Sequence, residues 1–554
     1  MYSKKLSVQL LGEMLYRYGV TDMVISPGSR NAPLIIHFCG HKEYQCYSVV
    51  DERSAAFFAL GMAQSKKKPV AVSCTSGTAS ANYYPAIIEA FYQNVPLVVI
   101  TADRPENFVD IFDGQTIRQK NIYQNHIYGS FQLSESEDTQ NITDNFLIIK
   151  KAVQTAILKS GPVHINIPFS EPLYEQTDAV EINIETITQP ERKFESEKWH
   201  SLLSQWNRFE KKMILTGMLP PDKDLNNLLE QLAAREDTII LTETTSNLNS
   251  TSFYPNIDRY IFPFGDEKME GYKPDLLLTI GQNLISKKVK IFLRNSNLKA
   301  HWHLDKYWHP DTFFSLTEKI EDHPVSFLQE LVKVPPKESA YSSIWKQMKN
   351  ERKIKHAEFS KNIPFSDLQV IKILNEKIPD YYNLQISNSA MIRYIQLFDF
   401  NSKNKIFCNR GASGIDGSGS TAVGFAVADA NPTLLITGDL GFFYDSNALW
   451  NKYIPSNFRI ILVNNGGGNI FKIIPGPDTS ESLDEFFVTQ HNRTARLLAE
   501  EYHFEYQEVH NQEELEKCLE YFFEDSKKPK LLEINTKKCD NAKILRNYFN
   551  FLNQ

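Results

Sequence analysis

Thr433–Phe471, TLLITGDLGFFYDSNALWNKYIPSNFRIILVNNGGGNIF, holds two apolar runs with a helical segment between them. The first run, TLLIT, ends at Gly438-Asp439, and the second, RIILV, ends at Asn464-Asn465 and three glycines. The pattern predicts two parallel strands joined by a helix over Tyr444–Tyr453. A crossover of this kind is right-handed and leaves both strand ends on one edge of the sheet. Asp439 and Asn465 are therefore expected side by side at that edge. Gly-Asp and Asn-Gly are each ordinary turn signals, and either alone implies no more than a buried strand–helix–strand unit. Together they offer a carboxylate, an amide carbonyl and a glycine-freed backbone carbonyl. Such oxygen ligands suit Mg²⁺, which substrate phosphates usually complete.

The 554-residue chain is long enough for three or four domains, each with its own core. Its 42% hydrophobic and 12% aromatic content is that of a globular protein. A formal net charge of -7 argues against a general binder of nucleic acid or membrane surfaces. Cys39, Cys46, Cys74, Cys408, Cys518 and Cys539 form no CxxC pair, and a reducing cytoplasm is expected. The N-terminal MYSKKLSVQLLGEMLYRYGV reads as an amphipathic helix, not a signal peptide. No apolar run approaches the ~20 residues of a membrane span.

Outward from that stretch, three α/β blocks are expected. In residues 1–180 the strand candidates are MVISPG, YSVVDE, PVAVSC, PLVVITAD and PVHINIPF, with helices over Arg53–Ser65 and Ala79–Gln93. Continuous β-branched runs between helices predict a doubly wound parallel sheet, with function gathered at the strand carboxyl ends. An acidic, proline-punctuated linker follows, near residues 170–198. The central block, 195–335, has strands KMILTG, TIILTE, LLLTIGQN and AHWHLD; a second linker, Val334–Ser343, precedes the third block, 344–554.

Two motifs invite other chemistry. HWHLDKYWH (His301, His303, His309) places two alternating histidines on one sheet face, but no carboxylate–His motif of known spacing accompanies it. A sheet-face pair is expected. Gly417-Ser-Gly419-Ser-Thr-Ala422 matches the dinucleotide fingerprint GxGxxA, which would make the protein a nicotinamide-dependent oxidoreductase. That fingerprint must directly follow a strand, whereas NRGASGID separates KIFC from Gly417. Glu52 sits where an apolar strand gives way to the helix ERSAAFFALGMA. A helix N-terminus favours an acidic residue by only ~0.3–1 kcal/mol, so that position alone says little.

SPGSRNAPL (Ser26–Leu34), DERSAAFFALGMA (Asp51–Ala63), TSGTASANYYPAIIEA (Thr75–Ala90), TADRP (Thr101–Pro105) and NRGASGIDG (Asn409–Gly417) occur in this order. With GDL and NNGGGNIF they resemble the 2-succinyl-5-enolpyruvyl-6-hydroxy-3-cyclohexene-1-carboxylate (SEPHCHC) synthase family of thiamine-diphosphate (ThDP) enzymes. The resemblance spans the first and third blocks and is weak across the central one. Two departures stand out. Most ThDP enzymes read Gly-Asp-Gly where this chain has Gly438-Asp439-Leu440, and the family's central basic pair ends in Arg where this chain has Lys287-Lys288.

The resemblance implies three ThDP-type domains: pyrimidine-binding, central and diphosphate-binding. It implies a carboligase-type transferase of menaquinone biosynthesis that decarboxylates 2-oxoglutarate and adds the succinyl carbanion equivalent to isochorismate. Glu52 carries over as the carboxylate that activates the cofactor. Asp439, Asn465 and the Gly467 carbonyl carry over as ligands of Mg²⁺ (or Mn²⁺). Cofactor contacts fall to Thr75, Ser389, Gly438, Leu440 and Ile470, with Ile415 as the apolar wedge that bends ThDP. Ser29, Arg30, Arg104, Gln115, Lys288, Ser389, Arg393, Arg410 and Phe471 carry over as substrate contacts. Both substrates are dicarboxylates, for which arginine forks are well suited. A homodimer or homotetramer is implied. The alternatives are another ThDP-dependent 2-oxoacid decarboxylase or carboligase and a non-catalytic ThDP-fold binding protein.

Overall fold

The computed structural model describes residues 1–180, 182–184, 188, 190, 199–262, 266–400, 403–474 and 476–554. Most of the acidic linker expected at 170–198 lies outside the described residues.

The first sheet has six parallel strands: β1 (Asp22–Ile25), β2 (Gln45–Ser48), β3 (Val70–Cys74), β4 (Leu97–Asp103), β5 (Ser130–Gln132) and β6 (Val163–Pro168). Their spatial order is β2-β1-β3-β4-β6-β5. The central sheet has five parallel strands: β7 (Lys212–Thr216), β8 (Thr238–Thr242), β9 (Leu276–Ile280), β10 (Ala300–Asp305) and β11 (Glu318–Glu321). They lie in the order β8-β7-β9-β10-β11. The third sheet comprises β12 (Asn383–Ile386), β13 (Lys405–Cys408), β14 (Thr433–Gly438), β15 (Arg459–Asn464), β16 (Glu505–Val509) and β17 (Lys530–Asn535). Its order, β13-β12-β14-β15-β17-β16, repeats that of the first sheet. The expected three doubly wound α/β sheets are thus present. A separate antiparallel pair joins Tyr2–Ser3 to Gln176–Thr177.

The central strands are apolar on both faces because helices cover both. β4 is buried along its whole length, as are β7, β8 and β9. In each sheet the strand order reverses beside the first strand, and open α/β sheets bind ligands in the crevice at such a reversal. Ser26–Arg30 and Thr75 follow β1 and β3 at that point; Ser387–Ser389 and Asp439 follow β12 and β14.

The helix of the opening stretch is displaced from its expected position. It runs Asp439–Tyr444, followed by a short turn of 3₁₀ helix at Ser446–Leu449, and Trp450–Tyr453 lie outside both. Gly438, extended at φ -86° and ψ 167°, caps the helix directly, so Asp439 is its first residue. The second linker also begins to fold early. Tyr341, Trp345 and Met348 of the helix Tyr341–Phe359 pack into the core beneath the central sheet.

First and third blocks meet along two helices, Glu52–Lys66 and Ser418–Ala428, at backbone distance. A Cβ on Gly61 would lie 2.0 Å from the Thr421 carbonyl oxygen, and one on Gly424 2.0 Å from that of Phe58. Glycine costs a helix about 0.5–1 kcal/mol relative to alanine, a cost offset here by close packing. Gly424→Ala is therefore expected to destabilise the protein by about 1–3 kcal/mol through overpacking. Gly271→Ala, with nothing within 4 Å of the new methyl, should stay within about 0.5 kcal/mol. Denaturant unfolding of both variants checks this, and equal midpoints would contradict the packing argument.

Candidate active site

The first group of candidate residues is built at the carboxyl edge of β14 and β15. Asp439 is buried, and its Oδ1 accepts the Leu440 N–H at 2.7 Å. Its Oδ2 accepts the N–H groups of Gly466 (2.7 Å) and Gly467 (2.9 Å). The His491 Nε2 lies 3.4 Å from the same oxygen. Asn465 donates from Nδ2 to Asp367 Oδ2 at 2.8 Å, while its Oδ1 is buried without a partner. Gly467 stands at φ 148°, and a Cβ there would lie 2.5 Å from the Val488 carbonyl oxygen, so this turn requires glycine. Its carbonyl accepts the Asn469 N–H at 2.9 Å and keeps a second lone pair. Burial pushes the Asp367 carboxyl up to about 6, with Asp439 adding to the shift. A carboxylate, an orphaned amide oxygen and a backbone carbonyl form an oxygen donor set that fits Mg²⁺ or Mn²⁺. Among the described residues no group of three or more His, Cys, Asp or Glu side chains is placed to hold a metal.

Gly438, Leu440, Ile470 and Phe471 flank this edge, and the Phe471 ring packs against Phe487 at 5.6 Å. Ser389 precedes the helix Ala390–Ile395 with φ 72°, a conformation uncommon for a side-chain-bearing residue. Ile415 is 39% exposed, an apolar side chain left uncovered by its own chain.

A second group gathers at the first sheet. Arg30 is buried; its N–H donates to Thr75 Oγ1 at 3.2 Å and its Nη1 to the Phe169 carbonyl at 2.8 Å. Gln115 and Ser76 are doubly bonded, Nε2 to the Ser76 carbonyl at 2.7 Å and Ser76 Oγ to the Gln115 carbonyl at 2.9 Å. Arg104 pairs with Asp113 at 3.6 Å and leaves its Nε buried and unpartnered. Ser29 is exposed beside them. Glu52 opens the helix Glu52–Lys66 just after β2, and Asp51 caps it by accepting the Ser54 N–H at 3.1 Å. Burial raises the pKa of Cys74 and Tyr83; the Glu52 charge is the next cause at Cys74 and a small one at Tyr83, behind Cys74 itself.

A third group lies where the central and third blocks touch. Arg410 donates to Asn388 Oδ1 and to the Leu284 carbonyl, each at 3.3 Å. Arg393 donates to the Ile285 carbonyl at 3.3 Å, and the Nε of each arginine is buried without a partner. Burial, reinforced by Arg410, pushes the Arg393 guanidinium below its ordinary value. Lys288 lies with its ammonium 4.6 Å over the Phe262 ring.

Four polar residues in these groups were not singled out from the sequence: Glu89, Glu243, Lys290 and His491. Glu89 accepts the N–H groups of Gly411 and Ala412, each at 2.6 Å, and lies inside the quoted run Thr75–Ala90. Glu243 accepts the N–H groups of Ile285 (2.6 Å) and Ser286 (2.8 Å). Neither Lys290 nor His491 stands in a motif that could have marked it.

The two competing motifs have structural uses. His301 and His303 converge on the Thr279 hydroxyl at 3.0 and 2.7 Å, a sheet-face pair as expected. Burial drives both rings toward neutrality, to about 4 and about 3. In the glycine fingerprint, a Cβ on Gly417 would lie 2.3 Å from the Phe57 ring and one on Gly419 3.1 Å from the Asp445 carboxylate. That helix start faces protein.

Burial pushes the Glu243 carboxyl from 4.5 up to about 7, against the pull of its two N–H bonds and of Arg410. Between these two values the folded state holds more protons than the unfolded one, so stability falls as pH rises through the window. Glu243→Gln is expected to remove this component, of order 1–3 kcal/mol at ~1.36 per pKa unit. Unfolding midpoints of both proteins from pH 4 to 8 check this; parallel curves would refute it.

The family model described as "Thiamine pyrophosphate enzyme, N-terminal TPP binding domain" matches residues 7–130. The benzoylformate decarboxylase structure from Polynucleobacter necessarius shares the fold, with TM-score 0.72 over 97% of this chain and 99% of that one, at 15% identity. The chain is 45% identical over 549 residues to the 2-succinyl-5-enolpyruvyl-6-hydroxy-3-cyclohexene-1-carboxylate synthase of Flavobacterium psychrophilum, covering 99% of each. It is 46% identical over 555 residues to the protein of the same name from Christiangramia forsetii, covering 96% of each. Identity of this extent across all three sheets shows that the chain belongs to the SEPHCHC synthase family of thiamine-diphosphate-dependent enzymes.

Proposed function

We propose that the protein joins 2-oxoglutarate to isochorismate with loss of CO₂, giving SEPHCHC, with thiamine diphosphate and Mg²⁺ (or Mn²⁺) bound. The full-length likeness to the synthases of two bacteria carries this reading. When bound, thiamine diphosphate supplies an acidic ring carbon that accepts a 2-oxoacid and an electron sink for decarboxylation. Domains near residues 1–180, 195–335 and 344–554 divide the work, as pyrimidine-binding, central and diphosphate-binding units.

Glu52 would supply the carboxylate that hydrogen-bonds the pyrimidine ring of the cofactor and exchanges its proton; its place after β2, at a helix start, supports that role. Asp439, Asn465 Oδ1 and the Gly467 carbonyl hold the cation, supported by the orphaned amide oxygen. Thr75, Ser389, Gly438, Leu440 and Ile470 line the cofactor, and Ile415 forms its apolar support. Ser29, Arg30, Arg104, Gln115, Lys288, Arg393, Arg410 and Phe471 receive the substrates. The unpartnered Nε groups of Arg104, Arg393 and Arg410 support a role in taking carboxylates.

A homodimer, alone or paired into a tetramer, completes each site by joining the first domain of one subunit to the third of its partner. Val50, Tyr444 and Trp450, exposed apolar residues around the start of the Glu52 helix, support an interface there. Among the described residues no helix is long and apolar enough to cross a membrane, which accords with a cytoplasmic enzyme.

The direct test is formation of SEPHCHC from isochorismate and 2-oxoglutarate with ThDP and Mg²⁺; no product would sink the reading. Glu52→Gln is expected to lower kcat by about 10²–10⁴-fold, the usual range for a lost acid–base group. ThDP affinity should hold, since the cation site is untouched; near-wild-type turnover would remove Glu52 from its role. Arg410→Ala is expected to cost roughly 1.5–3 kcal/mol, about 10- to 150-fold in kcat/KM, for at least one substrate. Changes under threefold for both, at unchanged thermal midpoint, would contradict the carboxylate assignment.

A further inference from the structure

Lys290 stands outside every motif of the family resemblance. It lies midway along the helix Lys287–Arg294 and lines a cavity of about 200 Å³ at the carboxyl edge of the central sheet. Leu215 and Gly217 at the end of β7, and Thr279–Gly281 at the end of β9, line the same cavity. Strand order reverses between those two strands, the place where open α/β sheets take ligands.

The cavity shares a wall with the candidate active site. Leu284, part of its lining, accepts from Arg410 Nη2 at 3.3 Å through its carbonyl. Asn283, also in the lining, donates to the Gly411 carbonyl at 3.0 Å, and the next residue, Ile285, accepts from Arg393 at 3.3 Å. Both third-domain arginines are therefore anchored on the ledge that bounds the Lys290 cavity.

The acids nearby are already engaged; Asp305, the carboxylate in the cavity's own lining, accepts the N–H groups of Tyr307 (2.6 Å) and Trp308 (3.0 Å) through Oδ1. Glu243 takes the Ile285 and Ser286 N–H groups, and Asp258 takes the Ser286 hydroxyl. Lys288, which occupies the motif position, lies over the Phe262 ring and in the field of Asp258. Among the described residues the Lys290 ammonium has no hydrogen bond or ion pair. Burial pushes it below its ordinary range; Arg410, Arg294 and Arg393 push the same way, and Glu243 opposes them. A partly buried ammonium facing a cavity, without a direct ion-pair partner and near two guanidinium groups, is a site for an anion.

We propose that Lys290 binds a carboxylate of one of the two substrates, forming with Arg393 and Arg410 a three-cation pocket across the central and third domains. Only the choice of ligands rests on the proposed reaction.

The test uses the protein loaded with ThDP and Mg²⁺, titrated calorimetrically with two probes. One is glutarate, a five-carbon dicarboxylate that lacks the reactive keto group; the other is isochorismate without the 2-oxoacid. Lys290→Met should weaken one of these probes tenfold or more, and Lys290→Arg should restore it to within threefold of wild type. Loss of glutarate affinity assigns Lys290 to the donor substrate, and loss of isochorismate affinity to the acceptor. Lys290→Gln replaces Lys290→Met if the latter does not fold. The proposal is overturned if both affinities stay within threefold, if Arg fails to restore what Met removes, or if the wild type binds neither probe. A wild-type protein that binds a probe but forms no SEPHCHC would refute the reaction and leave the Lys290 assignment to its own result.

Discussion

Glu89 reaches from the helix Tyr84–Gln93 of the first domain to the loop after β13 in the third. Its carboxylate accepts the N–H groups of Gly411 and Ala412, in the loop that carries Arg410 and Ile415. The carboxylate is buried. Burial pushes its pKa up, while the two N–H bonds and the Gln93 side chain pull it down. Hydrogen bonds to an ionised acceptor are roughly twice as strong as neutral ones, and removing their partner would strand a buried charge. A Cβ on Gly411 would lie 2.7 Å from the Glu89 carbonyl oxygen, so the loop needs glycine to come this near. Arg410 and Ile415 are thus carried on a loop positioned by a residue of the first sheet's block.

The same dependence runs along the glycine seam. Gly61 and Gly424 bring two helices to backbone distance, and Gly417 adds a contact with the Phe57 ring. The helix that begins with Glu52 is therefore packed against the helix that follows Ile415. Asn447 donates to Asp51 at 2.7 Å and Arg53 to the Tyr444 carbonyl at 2.8 Å, fixing the start of the Glu52 helix against the third domain. Two sheets of identical strand order are thus joined through closely packed helices that start near their reversal points.

Much of this was legible in the sequence, for a physical reason. Strands buried on both faces must be continuous apolar runs, so β4, β7, β9, β14 and β15 announce themselves, and the polar residues that end them mark the functional edge. The edge strands β5 and β11 did not. SFQ is only half-buried and EKIE buries Ile320 alone, so neither shows an apolar run. The helix after β14 was expected too late, because the glycines of GDLGFF read as a turn, while Gly438 in fact caps a helix that starts at Asp439. Glu89, Glu243 and His491 were missed because their partners are remote in sequence, and Lys290 because it stands in no motif and, among the described residues, has no partner to mark it. No local pattern encodes a carboxylate whose donors lie three hundred residues away.

The orientation of Asn465 shows how far such remote contacts govern the chemistry of the edge. Asp439 already accepts three backbone N–H bonds, and the two from Gly466 and Gly467 hold the NNGGGN turn against it. The direction of the Asn465 amide is set from behind by Asp367, itself held by the Thr536 hydroxyl at 2.7 Å and joined through its N–H to Asn541 Oδ1 at 2.8 Å. Above the raised pKa of Asp367, near 6, its carboxylate can only accept. The Asn465 NH₂ must then face it, since the flipped amide would set two oxygens against each other. The amide oxygen is left pointing away from Asp367 without a protein partner. A buried acceptor fixed in this way calls for a cation, whereas the flipped amide would offer a donor to an anion. Under the proposed cation assignment, Asp367 would act through Asn465 as outer-shell partners act on metal ligands, by fixing which atom faces the ion.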